Sequence, residues 1–248
     1  MKHLTLFLLC LWLTYPAAGQ VSDTLLNDTS LAGWHVRVKG SGIVPVDSQH
    51  LFVWEDSLLH VLPDAPAGTQ QPFAALVTDS VYQSYTLTLE YRWGEKKFVP
   101  RMDAPRDAGV LFHVQRNTSF WPTSLEYQIQ EDDTGDIWLI GTRAVSMRSA
   151  DKDAFDPAGT PTRRAGKRYV RFTRRPVTER QGWNTVRIEV DGRRAQYYLN
   201  GEPVNGFTEA EWRSDEDAAW EPLSAGRIAL QAEGAEVFYR NVVLKKGE

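Results

Sequence analysis

The chain has 248 residues, of which 24% are charged and 42% are hydrophobic, a normal balance for a globular protein. Its formal net charge of -4 argues against a nucleic-acid-binding protein, which would usually be basic. The only cysteine, Cys10, lies close to the N-terminus, so the rest of the chain cannot use a disulfide, a cysteine nucleophile or a thiolate metal ligand.

The N-terminal segment Met1–Gly19 is typical of a secretory signal. Lys2 supplies a positive start, and Leu4–Tyr15 form an apolar stretch that is too short to span a bilayer. Small residues then precede Gln20, as at a cleavage site; a retained anchor helix is the alternative. We therefore expect an exported protein, periplasmic or extracellular, with one folded domain over residues 20–248 and no membrane span.

Strand-like runs recur along the chain, and no long helical period appears. In chain order the runs are Trp34–Lys39, Leu51–Trp54, Ser57–Leu62, Ala74–Thr78, Tyr85–Trp93, Gly109–Gln115, Leu125–Gln130, Thr185–Asp191, Arg194–Asn200, Arg227–Ala232 and Glu236–Leu244. The pair Asp191-Gly192 joins two of them as the clearest β-hairpin. The pattern predicts an all-β protein that folds as an antiparallel β-sandwich.

The stretch from Arg143 to Gln181 differs from the rest of the chain. It is rich in arginine, contains three prolines and has little periodicity. We expect a long insertion here, and a loop of this length inside a compact domain is usually functional or mobile. It would either form a lid that carries cations over a sheet face or be a solvated insertion.

The run Leu125–Gln130 has the most informative alternation. Its apolar residues point to one side, which leaves Glu126, Gln128 and Gln130 on the other. A row of carboxylate and amide groups on one face of a strand can hydrogen-bond the hydroxyl groups of a sugar. An ordinary solvated sheet face is the alternative interpretation.

Other strands carry polar residues on the side away from their apolar residues. They supply Glu90, Arg92, His113 and Gln231, and Glu233, just past the end of the run Arg227–Ala232, is a further candidate. Gly109 shares the side of His113, and a strand glycine often marks a place where a ligand approaches the backbone. We expect these side chains to share one concave groove that is shaped for a carbohydrate ring.

Three tryptophans lie near the ends of these strands: Trp93, Trp121 and Trp138. Each offers a flat indole on which the C–H face of a sugar ring could stack. A tryptophan considered alone is more often part of a core, which is the alternative for each of them.

Several segments in order along the chain resemble one known family. They are Leu31–Trp34, Asp107–Phe112, Glu126–Gln130, Trp183–Ile188, Leu199–Gly201, Gly226–Gln231 and Phe238–Val242. Together they resemble the 3-keto-disaccharide hydrolase family, whose fold is a concanavalin-like jelly-roll sandwich. The resemblance runs from about Thr24 to Lys245. Asp107-Ala108 replaces the family's Asn-Ser, and the long basic insertion is a second departure.

The resemblance implies an enzyme, often bacterial and exported, that cleaves glycosides already oxidised at C3 of the sugar. A ketone at C3 acidifies the C2 proton, so a base can remove it; the C1–O bond then breaks by β-elimination, and water adds to the enone. This chemistry needs a base, a donor to the enolate and an acid for the leaving group.

The candidate roles follow from the chemistry of each side chain and from the face of the strand on which it lies. Glu126 or His113 would act as the base, Arg92 or Gln128 would hold the enolate oxygen, and Glu90 would protonate the leaving group. Gln130, Gln231, Trp121 and Trp138 would contact the substrate.

Two other functions stay open. A laminarinase-like glycosidase on the same sandwich would carry further carboxylates where this chain has Gln128 and Gln130. Retaining hydrolysis also needs carboxyls about 5–5.5 Å apart. Two residues four apart on a regular strand are roughly 13 Å apart, so the spacing in this strand disfavours that alternative. A non-catalytic carbohydrate-binding module would need amides and aromatics but no base.

No cofactor is required by this chemistry, although a divalent metal has two candidate places. The acidic turn Glu131–Asp136 offers oxygen ligands of the kind that bind calcium, without the spacing of an EF-hand. His113 together with Glu126 could hold a transition metal that polarises the C3 ketone. No Gly-rich phosphate loop is present, so a nucleotide cofactor is not expected.

Overall fold

The computed structural model describes residues 22–26, 31–46, 48–115, 119–165 and 168–247. These residues form nineteen β-strands and no helix. The strands are β1 (Ser22–Thr24), β2 (Trp34–Val38), β3 (Gly42–Val44), β4 (Phe52–Glu55), β5 (Leu58–Val61), β6 (Ala74–Thr78), β7 (Ser84–Lys97), β8 (Asp107–Val114), β9 (Ser124–Gln130), β10 (Ile137–Ile140), β11 (Thr142–Arg148), β12 (Thr160–Ala165), β13 (Tyr169–Phe172), β14 (Asn184–Asp191), β15 (Arg194–Leu199), β16 (Glu202–Trp212), β17 (Glu221–Pro222), β18 (Arg227–Ala232) and β19 (Ala235–Lys246).

The strands form two antiparallel sheets that pack face to face. The eleven-stranded sheet has the order β12-β11-β16-β15-β14-β7-β19-β5-β4, with β1 added beside β19 and β17 beside β16. The eight-stranded sheet has the order β13-β10-β9-β8-β18-β6-β2-β3. The prediction of an all-β antiparallel sandwich is confirmed, and each of the eleven predicted runs overlaps a strand.

One large apolar core lies between the two sheets. Alternate residues of β9 point into it, and hydroxyl groups tie this strand to the opposite sheet: Tyr127 Oη donates to the Tyr198 carbonyl (3.1 Å), and Tyr197 Oη donates to the Glu126 carbonyl (3.2 Å). A buried hydrogen bond of this kind contributes about 1 kcal/mol. The face of β9 that carries Glu126 is therefore held rigidly from behind.

The stretch from Arg143 to Gln181 is not the long loop that its composition suggested. Strands β11 and β12 pair at one edge of the eleven-stranded sheet, and β13 forms one edge of the eight-stranded sheet. Arg148 explains the error: its side chain is only 2% exposed, and its guanidinium donates to the carbonyls of Asp153 and Thr173. An arginine that would be solvated in a loop here satisfies buried backbone oxygens.

The predicted leader, Met1–Gly19, lies outside the described residues and stays a prediction. Within the ranges that the structure describes, no helix is both long and apolar enough to cross a lipid bilayer.

Candidate functional site

A cavity of about 470 Å³ opens on the outer face of the eight-stranded sheet. Its floor is formed by β8, β9 and β18, which are neighbours in that sheet. It is lined by Lys39, Phe73, Arg101, Asp107, Phe120, Trp121, Glu126, Gln128, Gln130, Trp138, Ile140, Arg168, Tyr169, Gln231 and Glu233. Six of the sequence-predicted site residues meet here: Trp121, Glu126, Gln128, Gln130, Trp138 and Gln231.

The polar row of β9 is buried on the floor of this cavity. Glu126 and Gln128 are each only 5% exposed, whereas side chains on an ordinary solvated sheet face would be largely accessible. The apolar side of the strand is buried as well, because Leu125, Tyr127 and Ile129 belong to the core. Both faces of β9 are therefore covered, and the interpretation as a plain solvated face is wrong.

Gly109 makes room for the groups that meet at the centre of the floor. A methyl group at this position would collide with Gln231 Oε1 and would lie 2.5 Å from Glu126 Oε1. The two side chains therefore lie over the bare backbone of β8, where the Gln231 amide hydrogen-bonds the Glu126 carboxyl. Gln231 Oε1 is buried and has no hydrogen-bond partner among the described residues.

Asp107 lies on the same outer face of β8, two residues before Gly109. Arg101 forms an ion pair with one carboxylate oxygen at 2.6 Å, and Gln128 Nε2 donates to the other at 2.9 Å. Gln130 is held nearby by Arg101 (3.2 Å) and by Asp133, whose Oδ2 accepts from Gln130 Nε2 at 2.9 Å. The carboxylate of Asp107 is thus fixed in place by a cation and an amide.

Three carboxyl groups in the cavity have raised pKa values. Burial raises the pKa of Glu126 well above its usual range, and the nearby negative charges of Glu233 and Asp107 raise it further. Burial is also the largest cause of the raised pKa of Asp107, which the Arg101 guanidinium opposes. The pKa of Glu233 is raised by burial and by Asp107, against Arg101 and Lys39. Carboxyls with raised pKa values in a cleft are suited to general acid–base catalysis.

Aromatic rings form the walls of the cavity. The Trp121 indole packs at 4.3 Å from the Phe120 ring and at 6.5 Å from the Phe73 ring, measured between ring centroids. Trp138 pairs with Glu126 across β10 and β9, so its indole lies beside the carboxyl on the same face. Lys39 Nζ lies 5.1 Å from the centroid of Phe73. The walls therefore offer flat apolar surfaces next to polar groups, as sugar rings require.

The arginine-rich stretch contributes two exposed residues to the rim. Arg168 and Tyr169, at the start of β13, line the cavity. Arg171 on the same strand lies 5.9 Å from the centroid of the Trp138 ring. This part of the stretch supplies cations beside the cavity, as one of the two interpretations expected, although it does so from an edge strand.

Asp107, Lys39 and Arg101 line the cavity but were not predicted as site residues. Asp107 was noted only as a departure from the family pattern, yet its spacing of two from Gly109 and four from Leu111 places it on the same face. Lys39 ends the predicted run Trp34–Lys39, and alternation along that run would have placed it on the outer face. Arg101 lies outside the strands, and no periodicity points to it. Glu233, which the sequence offered as a further candidate, does line the cavity.

Glu90 and Arg92 lie on the opposite side of the molecule, so their predicted place in this cavity is wrong. They belong to β7, which is in the eleven-stranded sheet, and they point away from the core. Glu90 accepts hydrogen bonds from Arg240 and Asn241, and the Arg92 guanidinium lies 4.0 Å from the Phe238 ring centroid. The whole core separates both residues from Glu126.

His113 does not face the cavity either. β8 carries one extra residue relative to β18, because Arg227 pairs with Val114 but Ala229 pairs with Leu111. This bulge gives His113 a φ of 50° and turns its ring inward, where Nε2 donates to the Gly192 carbonyl at 2.7 Å. Burial lowers the pKa of His113 to about 4. Its predicted position next to Glu126, as base or metal ligand, is therefore wrong.

Carboxylates of the acidic turn Glu131–Asp136 are bound by groups of arginine residues. Glu131 pairs with Arg106 at 2.8 Å, and Asp136 is buried beside the backbone N–H of Arg174, which donates to it at 2.7 Å. Among the residues that the structure describes, no group of three histidine, cysteine, aspartate or glutamate side chains is arranged to hold a metal ion.

Comparison with known proteins places this geometry in a family. The model of the 3-keto-alpha-glucoside-1,2-lyase-like domain matches residues 22–245. A protein from Parabacteroides distasonis that is described as a glycosyl hydrolase has a similar structure, with a TM-score of 0.56 and 19% identity over 92% of this chain and 94% of that one. A carbohydrate-binding module from Bacillus subtilis has a TM-score of 0.50 and 11% identity over 86% and 96%. No curated protein matches the chain. At these identities the two structures show a shared fold, and the jelly-roll prediction is confirmed.

Proposed function

The chain belongs to the 3-keto-alpha-glucoside-1,2-lyase-like family, and we propose that it is an enzyme that cleaves glycosides oxidised at C3 of the sugar. A carbohydrate-active function follows from the family itself. The observation that supports the specific reaction is the meeting of Asp107, Glu126 and Glu233, all with raised pKa values, beside amides and indoles in one cavity.

Asp107 is the base in this proposal. Its ion pair with Arg101 favours the ionised form, while burial keeps the carboxylate more basic than one in water. It removes the C2 proton, and the electron pair of that C–H bond forms the enolate of the C3 ketone. Lys39 and Arg101 supply positive charge in the cavity for the enolate oxygen.

Glu126 is the acid. Burial and the neighbouring carboxylates raise its pKa, which favours the protonated form, so this side chain is better suited to donate a proton than to remove one. As the enolate collapses, the C1–O bond breaks and the leaving oxygen takes the Glu126 proton. Water then adds to C1 of the enone and C2 regains a proton, which completes a net hydrolysis. The structure thus favours the opposite role for Glu126 from the base that the sequence suggested.

Isotope incorporation tests the reaction class directly. A 3-keto-glucoside and its unoxidised parent are incubated with the protein in D₂O, and the released sugar is examined by NMR. We expect turnover of the 3-keto substrate alone, with deuterium at C2. Release from the parent glucoside without deuterium at C2 would indicate a conventional glycosidase, and binding without turnover would indicate a carbohydrate-binding module.

The pH profile tests the two roles. kcat/KM should require Asp107 ionised and Glu126 protonated, which gives a bell-shaped dependence on pH. Asp107→Asn and Glu126→Gln should each lower kcat by about 100-fold or more, and residual Glu126→Gln activity should lose the alkaline fall. Glu90→Gln, which changes the same side chain on the opposite sheet, is the matched control. A full alkaline fall in Glu126→Gln would remove Glu126 as the acid.

We also propose that the protein is exported and that residues 20–248 form its single domain. The predicted leader at Met1–Gly19 supports this location. N-terminal sequencing of the protein from the periplasm or medium should begin at Gln20, and a chain retained in the cytoplasm would contradict it.

A further inference from the structure

A third carboxyl group lies in the same cavity as Asp107 and Glu126, which we call the catalytic cavity. Glu233 follows the end of β18 and lines this cavity together with the proposed base and the proposed acid. Elimination of the leaving group needs only the base and the acid. The addition of water to C1 then needs a group that takes a proton from the water.

The backbone holds Glu233 at a tight turn between β18 and β19. The turn consists of Glu233 and Gly234, and Gly234 has a φ of 84°, which a residue with a side chain rarely adopts. The Gly234 carbonyl accepts a hydrogen bond from the Phe98 N–H at 3.0 Å. Arg101 packs so closely on Gly234 that a methyl group there would lie 3.0 Å from Arg101 Cβ. These contacts fix Glu233 beside Arg101, and therefore near Asp107.

The three carboxyls of the catalytic cavity differ in their hydrogen-bond donors. Asp107 is bound by a guanidinium at 2.6 Å and by an amide at 2.9 Å, and Glu126 is bound by one amide. Glu233 is half-buried, and among the described residues no donor hydrogen-bonds its carboxyl, although the charges of Lys39 and Arg101 act on it. A half-buried carboxyl without a protein donor is stabilised by binding water. Glu233 is therefore the carboxyl of this cavity that is suited to hold a water molecule.

We propose that Glu233 is a third catalytic residue, which removes a proton from the water that adds to C1 of the enone. The inference rests on the proposed function for the formation of that enone. In this step the water oxygen forms a bond to C1, and the proton of the water moves to the Glu233 carboxylate. The electron pair of the C1–C2 double bond moves into the enolate, and Asp107 returns to C2 the proton that it removed.

The charges of the three carboxyls prepare Glu233 for this step. Burial raises the pKa of Glu233, and the negative charge of Asp107 raises it further, so an ionised Asp107 favours a protonated Glu233. When Asp107 takes the C2 proton, this charge disappears and the pKa of Glu233 falls. Glu126 has by then given its proton to the leaving oxygen. A proton passes from Glu233 to Glu126 through water in the cavity, which leaves Glu233 ionised.

The second half of the reaction returns every group to its starting state. When Asp107 gives its proton back to C2, its negative charge reappears and again raises the pKa of Glu233, which takes the proton of the water. Asp107 ends ionised, and Glu126 and Glu233 end protonated, as they began. One water molecule is consumed, and the products are the leaving alcohol and the 3-keto sugar.

Glu233→Gln separates the two halves of the reaction, because an amide has the size of a carboxyl but does not take a proton from water. A 3-keto-glucoside is mixed with the wild type or the variant, and release of the leaving group, ultraviolet absorbance of the enone and formation of the 3-keto sugar are followed. Release in the first turnover should stay within about threefold of the wild type. Hydration should fall by about 100-fold or more, so that the enone accumulates.

Glu202→Gln is the matched control, because Glu202 also lies beside a two-residue turn, on a strand of the other sheet, where it pairs with Arg175 at 3.0 Å. It should change neither release nor hydration. Glu233→Asp keeps a carboxyl group and should recover part of the hydration rate. Thermal unfolding of each variant checks that it is folded.

Two results with the 3-keto-glucoside would overturn the proposal. Hydration at the wild-type rate in a folded Glu233→Gln variant would mean that Glu126, ionised after the elimination, takes the proton from water itself. Equal loss of release and hydration would indicate a structural role for Glu233.

Direct supply of the enone separates this proposal from the proposed function, because hydration of the enone needs no elimination. Hydration by the wild type that falls by about 100-fold in Glu233→Gln, without release from any 3-keto-glucoside, would mean that the proposed function fails and the role of Glu233 stands. Release from 3-keto-glucosides together with equal hydration by wild type and variant would mean the reverse. An enone that the wild type does not hydrate would overturn the role of Glu233.

Discussion

Replacement of Gly109 by alanine should disable the catalytic cavity at small cost to the fold. Gly109 has no positive φ that would favour glycine, so its backbone conformation accepts alanine. The new methyl group would meet Gln231 Oε1 and Glu126 Oε1, which are the ends of two flexible side chains. These ends can withdraw into the cavity, whereas the backbone need not move.

The size of the displacement follows from the distances. Real Cβ atoms are essentially never found within 3.0 Å of another heavy atom, and the Glu126 oxygen would lie at 2.5 Å, so it must withdraw by at least 0.5 Å (3.0 minus 2.5). Gln231 must move further. A misplacement near 1 Å can lower a rate by about 100-fold, whereas overpacking typically costs about 1–3 kcal/mol of stability. We therefore expect a folded Gly109→Ala variant whose kcat falls by between about tenfold and 100-fold.

Gly94→Ala is the matched control, because Gly94 is also a strand glycine covered by a carboxylate. Its methyl group would collide with Glu236, which accepts backbone hydrogen bonds from Glu95 (3.0 Å) and Lys96 (3.2 Å) on the other sheet. This variant should lose stability but keep its kcat per folded molecule. The assay is release of the leaving group from a 3-keto-glucoside, with thermal unfolding for both variants. Full activity in a folded Gly109→Ala variant would refute the reasoning, because Glu126 and Gln231 would then be free to move without consequence.

Three further predictions follow from burial and placement. Burial raises the pKa of Glu126, so the folded chain keeps a proton that the unfolded chain loses, and the protein becomes less stable as the pH rises. The melting temperature of Glu126→Gln should therefore be higher than that of the wild type at pH 9 and equal to it near pH 4. A lower melting temperature at every pH would contradict this. Glu90→Gln and His113→Gln should keep kcat/KM per folded molecule within about twofold, because neither residue faces the cavity; a loss of 100-fold in either would mean that our placement is wrong. Trp138→Ala should raise KM by about tenfold with a smaller change in kcat, and an unchanged KM in steady-state assays would exclude stacking on the sugar.

Alternation identified which residues share a face of each strand, but it did not identify which sheet a strand joins. In β7, Glu90 and Arg92 do point away from the core, as the pattern predicted. In a sandwich, however, each sheet has its own outer face, and the two outer faces point in opposite directions. Polar residues from strands of different sheets therefore diverge, and the single common face expected from sequence divides into two.

The position of His113 depends on one unpaired residue. Alternation from Val110 and Phe112 places His113 outward, and this would be correct if β8 were regular. The extra residue in β8 reverses the facing from that point on, so Val114 takes the outward position and lines a second groove on this face, beside Val77 and Arg227. A β-bulge is set by pairing with a neighbouring strand, and nothing in the local run of residues marks it.

By contrast, the sequence could predict that the floor of the cavity is shielded from solvent. On the outward side of β8 the residues are Asp107, Gly109 and Leu111, of which one is a glycine and one is fully apolar. Gly109 and Leu111 are not typical of a solvent-exposed sheet face, because a glycine destabilises a strand and a leucine side chain is stabilising only when it is buried. They are suited to a floor on which longer side chains from β9 and β18 converge beneath a bulky cover. The cover itself, Phe120 and Trp121, lies in a connection without periodicity, and only tertiary packing brings it over the sheet. The floor of the catalytic cavity was thus encoded in strand alternation, and its walls and cations depended on contacts between distant segments.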